Sequence, residues 1–447
     1  MNSAINHSAI NDSATTPTFD ALGLSAALQR AIAENAYATP TPIQLQAIPA
    51  ILAGRDVQGG AQTGAGKTAA YCLPLLQMLL QDDAPLATSG SKRRPVRALV
   101  LVPTRELAAQ VQDTVARFAA HLPAAIKSIA IFGGVSINPQ MMALRGGADL
   151  IVATPGRLLD LIDHNALSLD QVRTLVLDEA DRMLDQGFAD ELANVIELLP
   201  ATRQNLCFSA TFPAAMQKLV AQLMRDPVVI DIPASETATP DITQRAIQVD
   251  TERRTMLLRH LIATEKWSRV LVFVATKHAC EHVATKLRRA DISAEPFHGE
   301  LSQGKRTQVL ADFKAGRVKV VIATDVAGRG IDIAQLPVVV NYDLPRSPVE
   351  YVHRIGRTGR AGETGLAVTF VSADTEAHLR VIEKRQGMRL GREQVAGFEP
   401  EDVLTPQEDE AATQAATGGI KGRRPSKKDK LRAAAAAAAE SADTDDA

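Results

Sequence analysis

The chain reads as an α/β protein made of two copies of one parallel-sheet domain, and three features of the sequence predict it. Short, near-continuous runs of Val, Leu and Ile alternate with helical patterns along most of its length, as expected of strands covered by helices on both faces. The pattern stops at "PASETATPD" (233–241), rich in Pro, Ser and Thr, and then resumes, which marks a linker. Three stretches before that break have counterparts after it in the same order: "LVLVPTRELA" with "VLVFVATKHA", "LIVATPGR" with "VVIATDVAGR", and "LVLDEADR" with "VVVNYDLPR". Self-similarity of this kind is the mark of an internal repeat.

Each segment follows in order. Residues 1–15 are polar, rich in Ser, Asn and Thr, and are expected to be disordered. The first domain is assigned to 16–230, with strands expected at "RALVLVP" (97–103), "ADLIVATP" (148–155) and "VRTLVLDEAD" (172–181); the run "DVQGG" before the glycine-rich loop is a poor strand. A linker at 231–242 precedes the second domain, 243–385, with strands at "RVLVFVAT", "VKVVIATD", "LPVVVNYDLP" and "GLAVTFVS". Beyond 385 the periodicity fades, and 386–447 is expected to be a flexible tail carrying a basic block, Lys421 to Arg432, with seven basic residues against one acid.

Bulk properties exclude several classes. The 447 residues exceed one ordinary core, and 46% hydrophobic with 22% charged content suits a soluble globular chain. No apolar run reaches the length of a membrane span, and the N-terminus has neither the basic nor the apolar part of a signal peptide, so a cytoplasmic location is expected. Cys72, Cys207 and Cys280 are far apart and suggest buried reduced thiols. Net charge is only −2, so no uniform basic field announces nucleic acid, and 4% aromatic content disfavours a base-stacking platform.

The chemistry gathers on two motifs. In "AQTGAGKT", Gly66, Lys67 and Thr68 satisfy the phosphate-loop pattern G-x-x-x-x-G-K-S/T, while Ala61 replaces its first glycine and Gln62, Thr63, Gly64 and Ala65 fill the turn. Backbone N–H groups and a helix N-terminus converge there on an anion; Lys67 would reach the β- and γ-phosphates and the Thr68 hydroxyl would ligate Mg2+. Gly64 and Gly66 still cover the inner turn, so Ala61 at the outer edge is no defect. In "VLDEAD", which ends an apolar strand, Asp178 would complete the metal site and Glu179 would polarise a water. The same acids could also cap the following helix.

With these motifs in place, the chain resembles the DEAD-box RNA helicases of superfamily 2, over roughly Phe19 to Arg385, and "EADRMLDQGF" with the basic tail is most like the bacterial RhlE-type subgroup. The resemblance implies two tandem RecA-like domains, ATP and Mg2+ as cofactors, and an ATP-hydrolysing helicase. In "AYATPTPIQ" it implies that Gln44 reads adenine and that Tyr37 stacks on the ring, with Ala36 in place of a frequent Gly and Phe19 as the family's upstream aromatic. It makes Arg357 and Arg360 of "YVHRIGRTGRAG" arginine fingers from the second domain, places Asp332 on the ribose, and gives Asp181, Ser209 and Thr211 of "DEAD" and "FSAT", with His353, a coupling role. RNA contacts are implied for Pro103, Thr104, Arg105, Gly133, Gly134, Thr154, Gly156, Arg157, Gln303, Arg306 and Thr324. Small residues, hydroxyls and arginines suit backbone contact, so binding is expected to be independent of sequence. The implied partners are single-stranded and short duplex RNA, ribosomal precursors or an RNA-decay complex, with a monomeric protein. A second reading, an ATP-dependent RNA clamp without appreciable unwinding, uses the same residues. A related DNA translocase is disfavoured by "AYATPTPIQ" and the "DEAD" spelling.

Overall fold

The computed structural model describes residues 17–401 apart from 63, 82–92, 234–241, 329–335 and 360–363. The expected N-terminal disorder, most of the linker, the basic block, Thr63, Asp332 and Arg360 therefore lie outside the described residues.

Among the described residues, fourteen strands form two seven-stranded sheets. The first contains β1 (Val57–Gly60), β2 (Ala98–Leu101), β3 (Ser128–Ile131), β4 (Leu150–Ala153), β5 (Thr174–Asp178), β6 (Gln204–Ser209) and β7 (Val228–Asp231), in the order β3-β4-β2-β5-β6-β1-β7. The second contains β8 (Ile242–Gln248), β9 (Val270–Val274), β10 (Ala294–Phe297), β11 (Val320–Thr324), β12 (Val338–Asn341), β13 (Gly365–Val371) and β14 (Arg392–Glu393), in the order β10-β11-β9-β12-β13-β8-β14. Adding seven to each strand number of the first order gives the second. The three repeats seen in the sequence fall on β2/β9, β4/β11 and β5/β12, and every strand pair is parallel. The tandem RecA-like architecture is thus present.

Alternate residues of one strand enter different cores, which is why the runs are apolar throughout. Ala98 and Val100 of β2 pack on one face of the first sheet, and Leu99 and Leu101 on the other; Val270 and Val272 of β9 oppose Leu271 and Phe273 in the second. Each buried Val, Leu or Phe side chain among them contributes about 1.5–3 kcal/mol. The poor strand "VQGG" is β1, held between β6 and β7. Its glycines have a packing cause: a Cβ on Gly59 would lie 2.6 Å from the Phe208 ring. The three cysteines are buried and free.

One expected boundary moves. Residues 386–401 are not all loose: β14 pairs with β8, Val395 and Phe398 pack against the second domain's core, and Arg392 donates to Glu376 and Glu383. The apolar pattern fades after 385 because a two-residue strand and a short strap are too brief to show a period.

Candidate active site

The helix Lys67–Gln81 starts directly from the glycine-rich loop and is apolar nearly all round, so it is buried between the first sheet and its neighbouring helices. Gly64 and Gly66 have φ of 89° and 90°, whereas Ala61 is absent from the positive-φ residues. Lys67 Nζ donates to the Ala61 carbonyl at 2.6 Å. Burial lowers the pKa of this ammonium, opposed by the carboxylates of Asp178, Glu179 and Asp181.

Asp178 ends β5 facing that helix, with only 2% of its surface exposed. Desolvation pushes its carboxyl up to about 6, against the pull of Lys67. Its Oδ1 accepts the Glu179 amide at 2.9 Å, and its Oδ2 accepts the Tyr71 hydroxyl at 2.7 Å. Glu179 takes the left-handed conformation at φ 51° and ψ 44°, a strained backbone of the kind that collects at functional sites. Its carboxylate is held by Arg182 at 2.6 Å, both side chains being buried. Asp181 Oδ2 accepts both the amide (3.1 Å) and the hydroxyl (2.8 Å) of Thr211, and the Asp181 amide donates to Ser209 Oγ at 3.4 Å. The acid following β5 is thereby tied to the segment following β6.

The donor set suits Mg2+. One buried carboxylate and one hydroxyl, Asp178 and Thr68, stand beside a loop built for phosphate, and no group of three or more His, Cys, Asp or Glu forms a cage among the described residues. Mg2+ characteristically takes one or two carboxylates, substrate phosphates and waters.

Gln44 makes two hydrogen bonds within the protein. Its Oε1 accepts the Thr41 amide at 3.0 Å and its Nε2 donates to the Gly66 carbonyl at 3.1 Å. The amide braces the phosphate loop from beneath. Tyr37, half-buried, lies edge-on to Phe19, with centroids 6.4 Å apart, and tilted against Phe118 at 5.5 Å, so Phe19 belongs to an aromatic trio at the edge of the first domain's core. Ala36, at φ 61°, carries strain that a glycine would not.

Most of the residues implied for RNA follow the other strands. Pro103, Thr104 and Arg105 come after β2; Gly133 and Gly134 after β3; Thr154, Gly156 and Arg157 after β4; Gln303 and Arg306 after β10; and Thr324 ends β11. Thr104 caps its helix by accepting the Leu107 amide, and the Arg105 guanidinium lies where a Cβ on Gly134 would fall. Arg157 donates to the Val135 carbonyl at 2.9 Å. Arg306, only 2% exposed, donates to Glu106 of the first domain at 2.7 Å. On the helix Pro348–Ile355, Arg354 is an internal strut, bound to both oxygens of Asp325 at 2.5 and 2.7 Å. His353 is half-buried beside it and Arg357 is buried just past the helix end.

Sequence reading missed Tyr71, Arg182 and Glu106. Tyr71 had a signal: it lies four residues after Lys67 on a helix, hence on the same face.

Comparison with known proteins follows the same outline. The DEAD/DEAH box helicase model matches residues 41–219 and the helicase conserved C-terminal domain matches 252–362. The DEAD-box ATP-dependent RNA helicase CshA of Geobacillus kaustophilus is 39% identical over 375 residues, 84% of this chain and 78% of that one. CshA of Streptococcus pneumoniae serotype 4 is 41% identical over 385 residues, 86% and 70% of the two chains. Among solved structures, S. cerevisiae Dbp5 bound to RNA and ADP BeF3 aligns with a TM-score of 0.73 at 31% identity, covering 90% of this chain and 99% of that one.

Proposed function

The chain belongs to the DEAD-box ATP-dependent RNA helicases, and from that premise we propose that RNA-stimulated ATP hydrolysis drives closure of its two domains, clamping single-stranded RNA and opening short duplexes locally. It is an ATP hydrolase by family. The observation that carries the finer reading is the division of the first sheet's carboxyl edge: the phosphate loop, "DEAD" and "FSAT" follow β1, β5 and β6, while the candidate RNA residues follow β2, β3 and β4. Ligands of open parallel sheets bind at such edges.

In this mechanism the backbone amides of 61–68 and Lys67 hold the β- and γ-phosphates, with Tyr37 and Gln44 at the adenine and Asp332 at the ribose. Thr68 and Asp178 would hold magnesium, which would supply charge neutralisation at the phosphoryl group. Glu179 orients the attacking water and accepts its proton, a role open to it once its carboxylate turns from Arg182. Arg357 and Arg360 stabilise the transferring group after closure, so neither domain hydrolyses ATP alone. Asp181, Ser209, Thr211 and His353 relay the state of the nucleotide to the RNA side. The RNA residues grip sugar and phosphate, which leaves recognition indifferent to base sequence. That Dbp5 binds RNA and ADP BeF3 on the same fold supports this division of labour.

The cytoplasmic location, the monomeric state, and ribosomal precursors or an RNA-decay complex as partners belong to this proposal; among the described residues no helix is long and apolar enough to cross a membrane. The RhlE-type placement rests on "EADRMLDQGF" and the basic tail, whereas the relatives above carry the CshA name. The basic block would add RNA affinity by neutralising phosphates. ATPase assays with and without RNA test the core of the reading. RNA should raise the wild-type rate, and Glu179→Gln should lose about 10²–10⁴-fold in turnover while still binding ATP; a rate indifferent to RNA would overturn it. In strand displacement, a short duplex released no faster with ATP would favour the clamp without unwinding.

A further inference from the structure

We propose that Tyr71 is a positioning residue for magnesium: its hydroxyl holds the Asp178 carboxylate in one orientation, on the helix face that also carries Thr68, before nucleotide arrives. This rests on the reading of Thr68 and Asp178 as the magnesium pair. Tyr71 is fully buried at 0% exposure, so its hydroxyl has no water to exchange with and must be satisfied within the protein. It donates to Asp178 Oδ2 at 2.7 Å. The ring is fixed in turn by packing on Phe208, with centroids 5.4 Å apart.

The geometry explains why one hydroxyl matters. Thr68 and Tyr71 are three residues apart on the helix Lys67–Gln81 and share a face, whereas Asp178 approaches from the end of β5. A carboxylate turns freely about its terminal bond. Here one oxygen is claimed by the Glu179 amide and the other by Tyr71, so the carboxylate plane is set by a donor on each side. Groups that orient a metal ligand without touching the metal typically account for 10–100-fold in metal affinity. Phenylalanine would keep the ring and its packing and remove the hydroxyl's bond to Asp178 alone.

The test compares wild type with Tyr71→Phe, using a fluorescent ADP analogue whose binding is titrated with Mg2+ and, separately, measured in EDTA. Tyr71→Phe should bind the analogue in EDTA within about 2-fold of wild type, while the Mg2+ concentration for half-maximal enhancement rises about 10-fold. Equal Mg2+ midpoints in the two proteins would overturn the proposal. So would a parallel loss of affinity with and without Mg2+, which is what a merely structural hydroxyl would give. Wild-type binding that ignores Mg2+ would fell the magnesium-pair reading itself, and the assignment of Tyr71 with it. A thermal melt of both proteins without nucleotide confirms that the variant is folded where the midpoints are read.

Discussion

Gly66 shows how narrowly the nucleotide loop is determined. At φ 90°, an added Cβ would lie 2.5 Å from Gln44 Nε2 and 2.9 Å from Thr41 Oγ1. The space is filled by the amide that supports the loop, which accepts from Thr41 and donates to the Gly66 carbonyl. A left-handed alanine costs roughly 1–2 kcal/mol by itself, and the clash displaces the brace as well. Gly66→Ala should therefore lose ATP binding by at least about 10-fold, seen in fluorescent-nucleotide titration, while circular dichroism stays that of the wild type. Retained affinity would mean that Gln44 can swing aside without cost. Ala61 is the contrast: outside the positive-φ region and 3% exposed, it uses only its backbone, accepting from Lys67 and donating to the Ser209 carbonyl at 3.1 Å. The missing first glycine was legible as harmless because the sequence shows where glycines remain. The two uses of the Gln44 amide were not legible, since an amide that braces a loop and one that reads a base are the same residue at the same spacing.

At the scale of elements, the repeat was legible because six buried strands carry unbroken apolar runs, and a run long enough to be covered on both faces is visible without its partners. β1 and β14 were hard to see for opposite reasons. β1 exchanges side chains for glycine so that Phe208 can cross it, and β14 has two residues, below any period. Symmetry supplies what periodicity lacks: the first domain closes on β7 beside β1, and β14 occupies that place beside β8. The closing segment is pinned by Arg392, which donates to Glu376 at 2.8 Å and to Glu383 at 2.6 Å, both carboxylates being largely buried. Desolvation alone would raise the Glu376 carboxyl, yet hydrogen bonds from Arg392 and Arg380 hold it below the usual carboxylate range. Removing the guanidinium leaves two buried like charges. Because Arg392 is itself partly exposed, the cost is set below that of a fully buried pair, and Arg392→Ala should destabilise the second domain by about 2 kcal/mol in urea unfolding. The depressed Glu376 contribution is present above the unfolded carboxylate range and is lost as pH falls through the folded value, so the difference between wild type and Arg392→Ala should narrow on acidification. A gap that does not shrink would place the stabilisation in packing of the Arg392 stem.

For the whole molecule, the question is what couples two sheets of identical topology across a linker. Among the described residues, Arg306 donates to Glu106 at 2.7 Å and Arg105 donates to the Gly299 carbonyl at 3.2 Å, each bond running from one domain to the other. Both arginines were read from the sequence as RNA contacts, and they lie in the first turns of the helices Arg105–Ala119 and Gln303–Lys314, which follow β2 and β10. Arg306 is also clamped by the His298 carbonyl at 2.9 Å and by the Phe297 ring, 4.4 Å from its guanidinium carbon. It therefore presents a preset charge to Glu106. A hydrogen bond to a charged group contributes about 1.5–3 kcal/mol, whereas bringing two bodies together costs about 4–15 kcal/mol or more before any linker helps. The pair alone cannot hold the domains closed; it can add to closure once nucleotide and RNA span both. This gives the pair a signature distinct from direct RNA contact. In a double-mutant cycle of Glu106→Gln and Arg306→Met, RNA affinity with a non-hydrolysable ATP analogue should show a coupling of about 1–2 kcal/mol between the two positions, and without nucleotide the coupling should vanish. Urea unfolding of the first domain should change little on Glu106→Gln, whereas Arg306→Met also loses the His298 and Phe297 contacts within the second domain, which the cycle cancels. Additive effects in both states would mean that Arg306 acts on RNA by itself, and that closure draws nothing from Glu106.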